Sequence, residues 1–152
     1  MAGLLFTAQT GPILLTAGVT QTILQVTAPT NQRVKITRFA LSFDGVISTA
    51  LPATLAVYRQ TTAGVMTASP PPLVLLKKGY AETIQTTVAW KATTEPTYAE
   101  LLIERYISVY NGSFDRVFNF SQELEIPGGG RLGFVLTCAT APNVCIGLDC
   151  EE

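Results

Sequence analysis

The groups able to do chemistry in this 152-residue chain are few, and histidine is not among them. That removes every Ser-His-Asp and Cys-His arrangement, every imidazole metal site and the commonest general base near neutral pH. Carboxylates remain. Glu100, Glu104, Glu123 and Glu125 hold the material for a glycosidase pair, yet nothing in their spacing selects two of them or sets aromatic platforms around them. With Arg105 and Arg116 close by in the sequence, salt bridging on a sheet face or between subunits is the expected role.

Cys138, Cys145 and Cys150 supply no fourth ligand, and their intervals of seven and five residues match no common zinc spacing. They are expected to be reduced packing residues, since free cysteine is usually buried and a cytosolic chain keeps its thiols. The acidic end, Asp149, Glu151 and Glu152, could draw calcium with help from backbone oxygens, but a solvated or partner-facing tail is the expected state. Gly128-Gly129-Gly130 is followed by no P-loop lysine and no helical pattern, so it is expected as a turn. Lys77 and Lys78 form the one doubled basic pair, and ten basic against eleven acidic residues leave a net charge of -1. No phosphate-neutralising footprint and no membrane-surface patch follow from that balance. Tyr58, Tyr80, Tyr98, Tyr106 and Tyr110 could stack on sugars, but they are scattered. No catalytic residue, metal ligand or cofactor-binding residue is assigned, and a non-enzymatic role is expected.

The elements around these groups are strands. Threonine occurs 21 times, and Val, Ile and Thr recur in short runs broken by Gly, Pro or Asn. The fold class is all-β. The start, MAGLLFTAQTGPILL, lacks a basic n-region and an uninterrupted apolar run, so it reads as neither signal peptide nor membrane span. Leu4 to Gln9 and Thr22 to Thr27 are the first strands. From Arg33 to Asp44 the apolar positions run Val34, Ile36, then Phe39, Leu41, Phe43, so the period-2 pattern changes parity near Thr37-Arg38. Either a bulge sits there or both faces are covered. Thr54 to Gln60 is a strand, Thr61 to Pro72 a loop ending in a stiff proline segment, and Thr83 to Lys91 a strand carrying Trp90, which is expected to be buried.

Tyr98 to Tyr110 could present a helical face, but Glu100 and Glu104 would repel at i,i+4, which favours a strand. Asn111-Gly112 suits a two-residue hairpin turn, with Ser113 to Phe120 as the returning partner. After the glycine turn, Leu132, Phe134, Leu136 and Cys138 share one strand face. Thr140 to Asn143 turns the chain, and Val144, Ile146, Leu148 and Cys150 share a face of the last strand, with Cys145 opposite. These strands predict a two-sheet antiparallel β-sandwich of jelly-roll type: a single domain in which residues 31–152 form the sandwich and residues 1–30 an N-terminal arm with the first strands.

One likeness adds to this. Val34-Lys35-Ile36 leading into Leu41-Ser42-Phe43-Asp44-Gly45, Val57 through Gly64, Thr93-Thr94-Glu95-Pro96-Thr97, and the ending from Ile126-Pro127-Gly128 to Glu151-Glu152 together resemble the small β-sandwich virion proteins of tailed bacteriophages, particularly head decoration or cement proteins. The resemblance covers roughly residues 30–152. It implies a jelly-roll, tumour-necrosis-factor-like subunit, often a homotrimer, on the capsid exterior of the virion, tying neighbouring major capsid proteins together after synthesis in the host cytoplasm. It transfers no functional residues.

Hydrophobic residues make up 47% of the chain and charged ones 14%, against about 25% charged in an average soluble domain. Apolar outer patches shared between subunits would explain that. The expected interface residues are Phe39, Leu41 and Phe43, taken as outward members of the parity-shifted strand, with Leu4, Leu5 and Phe6 of the arm. The alternative function is a tail- or baseplate-associated sandwich that binds host surface carbohydrate, and a hydrolase comes third.

Overall fold

β-Branched residues and turn formers alternate along this chain, and the structure, a computed structural model, resolves that alternation into thirteen strands among the described residues. Those residues are 3–68 and 81–152, with the backbone of 74 and 75. In chain order the strands are β1 (Leu5–Gln9), β2 (Ile13–Leu14), β3 (Thr20–Thr27), β4 (Val34–Phe43), β5 (Ala53–Gln60), β6 (Val65–Ala68) and β7 (Val74–Leu75). They continue as β8 (Thr87–Thr94), β9 (Tyr98–Ile107), β10 (Ser113–Val117), β11 (Leu124–Ile126), β12 (Arg131–Thr137) and β13 (Asn143–Glu151). The Pro70-Pro71-Pro72 segment, Lys77, Lys78 and Tyr80 lie outside the described residues.

Two antiparallel sheets pack face to face. The first runs β10-β4-β13-β1-β7, with β11 also on β4 and β2 also on β13; the second runs β6-β8-β3-β12-β5-β9. Residues that point between them form one core, in which Phe6, Phe39, Phe134, Ile23, Ile36, Leu132 and Ile146 are fully buried. Phe39 anchors its centre, with ring centroids 5.2 Å from Phe134, 5.6 Å from Phe114 and 6.0 Å from Phe118. Such aromatic pairs add about 0.5–1.5 kcal/mol each to the area they bury.

The parity change in β4 is a bulge. Arg38 lies opposite Asp149 and Ile36 opposite Cys150, so Thr37 has no counterpart on β13. The extra residue keeps Val34 and Ile36 on the same inner face as Phe39, Leu41 and Phe43. The expectation that Phe39, Leu41 and Phe43 point outward is therefore corrected: the exposed residues of this strand are Arg38 and Ser42. Phe6 is likewise core, while Leu4 and Leu5 are half-buried.

Residues 3–30 are not an arm. β1 is hydrogen-bonded between β13 and β7, and β3 sits inside the second sheet between β8 and β12. No structural boundary separates them from the rest.

The expected hairpin at Asn111-Gly112 is also corrected. The tight reversal is present, with Asn111 at φ 48°, and a side chain at Gly112 would run into the carbonyl of Ser108. Its flanking strands do not pair: β9 bonds to β5 in one sheet and β10 to β4 in the other. Val109 is buried between them, so the turn carries the chain from one sheet edge to the other. β12 and β13 are likewise consecutive strands of different sheets, each in its sheet's interior, and their common apolar faces meet across the core.

Candidate functional site

Among the described residues, the densest polar cluster lies on the face of the second sheet that points away from the core. β8 pairs with β3 as far as Trp90, then bends at Lys91, which takes φ 46°. Beyond the bend the chain arches over the sheet. Gln21 Nε2 donates to the Ala92 carbonyl at 2.9 Å, Thr97 N to Thr62 Oγ1 at 2.8 Å, and Thr61 N to the Thr97 carbonyl at 3.0 Å.

The Glu95 carboxylate fastens the arch, accepting from Thr22 N at 3.0 Å, Thr22 Oγ1 at 2.6 Å and Tyr98 Oη at 2.6 Å. Beneath it Gln25 Nε2 donates to Gln60 Oε1 at 2.6 Å, and Gln60 Nε2 to Thr22 Oγ1 at 3.2 Å. Burial, and then the hydrogen bond to Glu95, push the Tyr98 hydroxyl up to about 12, so it is no proton acceptor near neutrality. Tyr98 stacks on Tyr58 at 4.8 Å. These groups satisfy one another, which fits a fastening network.

The carboxylates singled out from the sequence are dispersed. Glu100 and Glu104 stand on β9, while Glu125 is on β11 in the other sheet and Glu123 just precedes it. Glu100 pairs with Arg59 at 3.1 Å and Glu125 with Arg33 at 2.7 Å. Salt bridging holds for these two glutamates, but through Arg59 and Arg33; Arg105 instead donates to the Glu104 carbonyl, and Arg116 lies over the Phe118 ring.

The acidic end is not a loose tail. Asp149 lies 3.8 Å from Arg38. The Glu152 carboxylate accepts from Gln85 N at 2.9 Å, Thr86 N at 2.8 Å and Thr86 Oγ1 at 2.6 Å, and its backbone pairs with that of Leu4. No group of three potential metal ligands gathers among the described residues. Cys138 and Cys150 are buried as expected, and burial raises the Cys150 thiol. Cys145 is exposed, because alternation along β13 turns it away from the core. Trp90 is half-buried, its indole N–H donating to the Ala68 carbonyl at 2.7 Å.

A second surface stands out for its lack of polar partners. At the end of the sandwich formed by the 44–52 loop and the 140–143 turn, Val46 is 83% exposed, Leu51 68% and Ile47 53%. Leu14 joins them through its pairing with Asn143, and Tyr110 through its bridge to Gly45. The same end holds an apolar cleft of about 200 Å³, lined by Ile47, Ala50, Val109, Ala141 and Pro142 among others. Asp44 on its rim is held below the usual carboxylate range by Asn143, which donates through its side chain at 2.7 Å and its backbone at 2.8 Å. Away from this end, Phe120 is 88% and Val117 70% exposed.

Sequence reasoning missed this surface. The available signal was a run of apolar residues, Val46-Ile47 and Leu51, inside a segment bounded by Gly45 and Pro52, where a turn is normally polar. Comparison with protein-family models, curated proteins and solved structures finds no match to this chain.

Proposed function

We propose that this chain is a structural virion subunit: a jelly-roll-type sandwich, assembling as a homotrimer, that decorates a tailed-phage capsid and stabilises it by binding the outer surface of the major capsid proteins. The observation that carries the reading is the placing of large apolar side chains on the outside, at the Val46–Leu51 end and at the Val117–Phe120 turn. A subunit that works by contact needs such surfaces, and many weak contacts repeated by symmetry add up to firm attachment.

Light scattering of the purified protein, followed by sedimentation with undecorated heads, tests it. A stable trimer that pellets with heads is the expected result. A monomer that stays in the supernatant overturns the reading and favours a tail-associated module that binds carbohydrate.

A further inference from the structure

We infer that the Val46–Leu51 end is where copies of this chain meet, the Val46-Ile47 tip of one copy seating in the apolar cleft of the next. The inference deepens the function proposed above and rests on its self-association, while leaving capsid attachment to other surfaces.

Three observations lead to it. The first is area. From their fractional exposures, Leu14, Val46, Ile47, Leu51 and Tyr110 together offer on the order of 600 Å² of surface. That lies at the upper end of the largest patch of an ordinary monomer, about 300–600 Å², and is the larger part of the roughly 800 Å² per partner of a stable interface.

The second is the cleft. At about 200 Å³ it falls below the roughly 300–1,000 Å³ of small-molecule sites, and its apolar lining, in which Val46 and Ile47 form one wall beside Ala50, Val109, Ala141 and Pro142, suits a branched aliphatic side chain. Val46 and Ile47 on that wall are two such side chains, and both are exposed to a neighbour. A surface that holds both the knob and the adjacent socket can close a ring with copies of itself.

The third is charge. Asp44, the one ionisable residue in the cleft lining, is already engaged by Asn143, and the chain's net charge is only -1. Copies brought together at this end each bring that one hydrogen-bonded carboxylate, on the rim, and no other ionisable group of the cleft lining.

The test is the solution mass by light scattering from low-micromolar to sub-millimolar concentration, for the wild type, Val46→Glu, Leu51→Lys and, as control, Phe120→Lys. All three positions are exposed, and circular dichroism checks that each variant is folded. The wild type and Phe120→Lys are expected to form the same oligomer. Val46→Glu and Leu51→Lys are each expected to weaken it by roughly 30-fold or more, the scale of a hot-spot residue. A wild type that oligomerises equally well with Val46→Glu and Leu51→Lys overturns this assignment while leaving self-association standing. A wild type that is monomeric throughout overturns both.

Discussion

Replacing Gly133 by alanine should destabilise the protein although the new methyl group is small and the site lies in the middle of a strand. A Cβ at Gly133 would run into the side-chain amide of Gln60, at both Nε2 and Cδ. Gln60 has no free direction in which to retreat: it is 5% exposed, receives a hydrogen bond from Gln25 and donates one to Thr22. Moving its amide breaks both bonds and strands the Gln25 amide, itself 4% exposed, under the Glu95 arch. Two lost hydrogen bonds at about 1 kcal/mol each, with about 1–2 kcal/mol for the stranded group, give roughly 3–4 kcal/mol. In a domain of this size that lowers the melting temperature by about 6–16 °C.

Urea denaturation followed by circular dichroism measures it, in the wild type and in a Gln60→Ala background. With Gln60 shortened the methyl has room, and alanine in a strand interior is favoured over glycine by about 0.5–1 kcal/mol. The sign of the Gly133→Ala effect should therefore reverse. An equal cost in both backgrounds, or a cost under about 0.5 kcal/mol in the wild type, would refute the close packing of Gly133 against Gln60.

Phe39→Ala should cost roughly 3–5 kcal/mol in the same assay, and Phe39→Asp should abolish folding by placing a carboxylate at the centre of the aromatic cluster; normal stability with only partner binding lost would contradict the core placement. Glu95→Gln should lower the Tyr98 pKa from about 12 part of the way towards its ordinary value, with burial, the larger cause, still acting. Ultraviolet titration of tyrosinate reads this directly, and an unmoved curve counts against the hydrogen bond.

On the acid side, Asp44 and Asp115 are both held below the ordinary carboxylate range, by Asn143 and by Arg38 respectively. The unfolded chain therefore takes up these protons first, and the stabilisation present above about pH 4 is lost as the pH falls further. Melting temperature should decline over that window, and more shallowly in Asp115→Asn; identical slopes would argue that the Arg38 pairing does not persist in solution.

Local chemistry wrote much of this fold into the sequence. Threonine and β-branched runs mark the strands, and the parity change at Thr37-Arg38 marks a bulge or a doubly covered strand, because side chains alternate with period two and one inserted residue must shift every later one. Glu100 and Glu125 were legible as ion-pairing groups from their charge, and Cys138 and Cys150 as packing residues from their place on apolar faces.

What the sequence left open were questions of partnership. Asn111-Gly112 specifies a sharp reversal through its backbone angles but not whether the strands it joins pair with each other; that was decided by β5 and β4, the partners that β9 and β10 find in different sheets. The outward reading of Phe39, Leu41 and Phe43 failed for a related reason, since the pattern gives their shared face but only the opposing sheet says which face is inside. Glu152 had the look of a tail residue and nothing marked Glu95 as special; both became fasteners because distant backbone N–H groups of Thr22, Gln85 and Thr86 came within reach. Composition likewise implied apolar surface without locating it. Periodicity along a chain determines which side chains travel together, whereas contacts between residues a hundred positions apart depend on how the sheets stack, and only the folded molecule decides that.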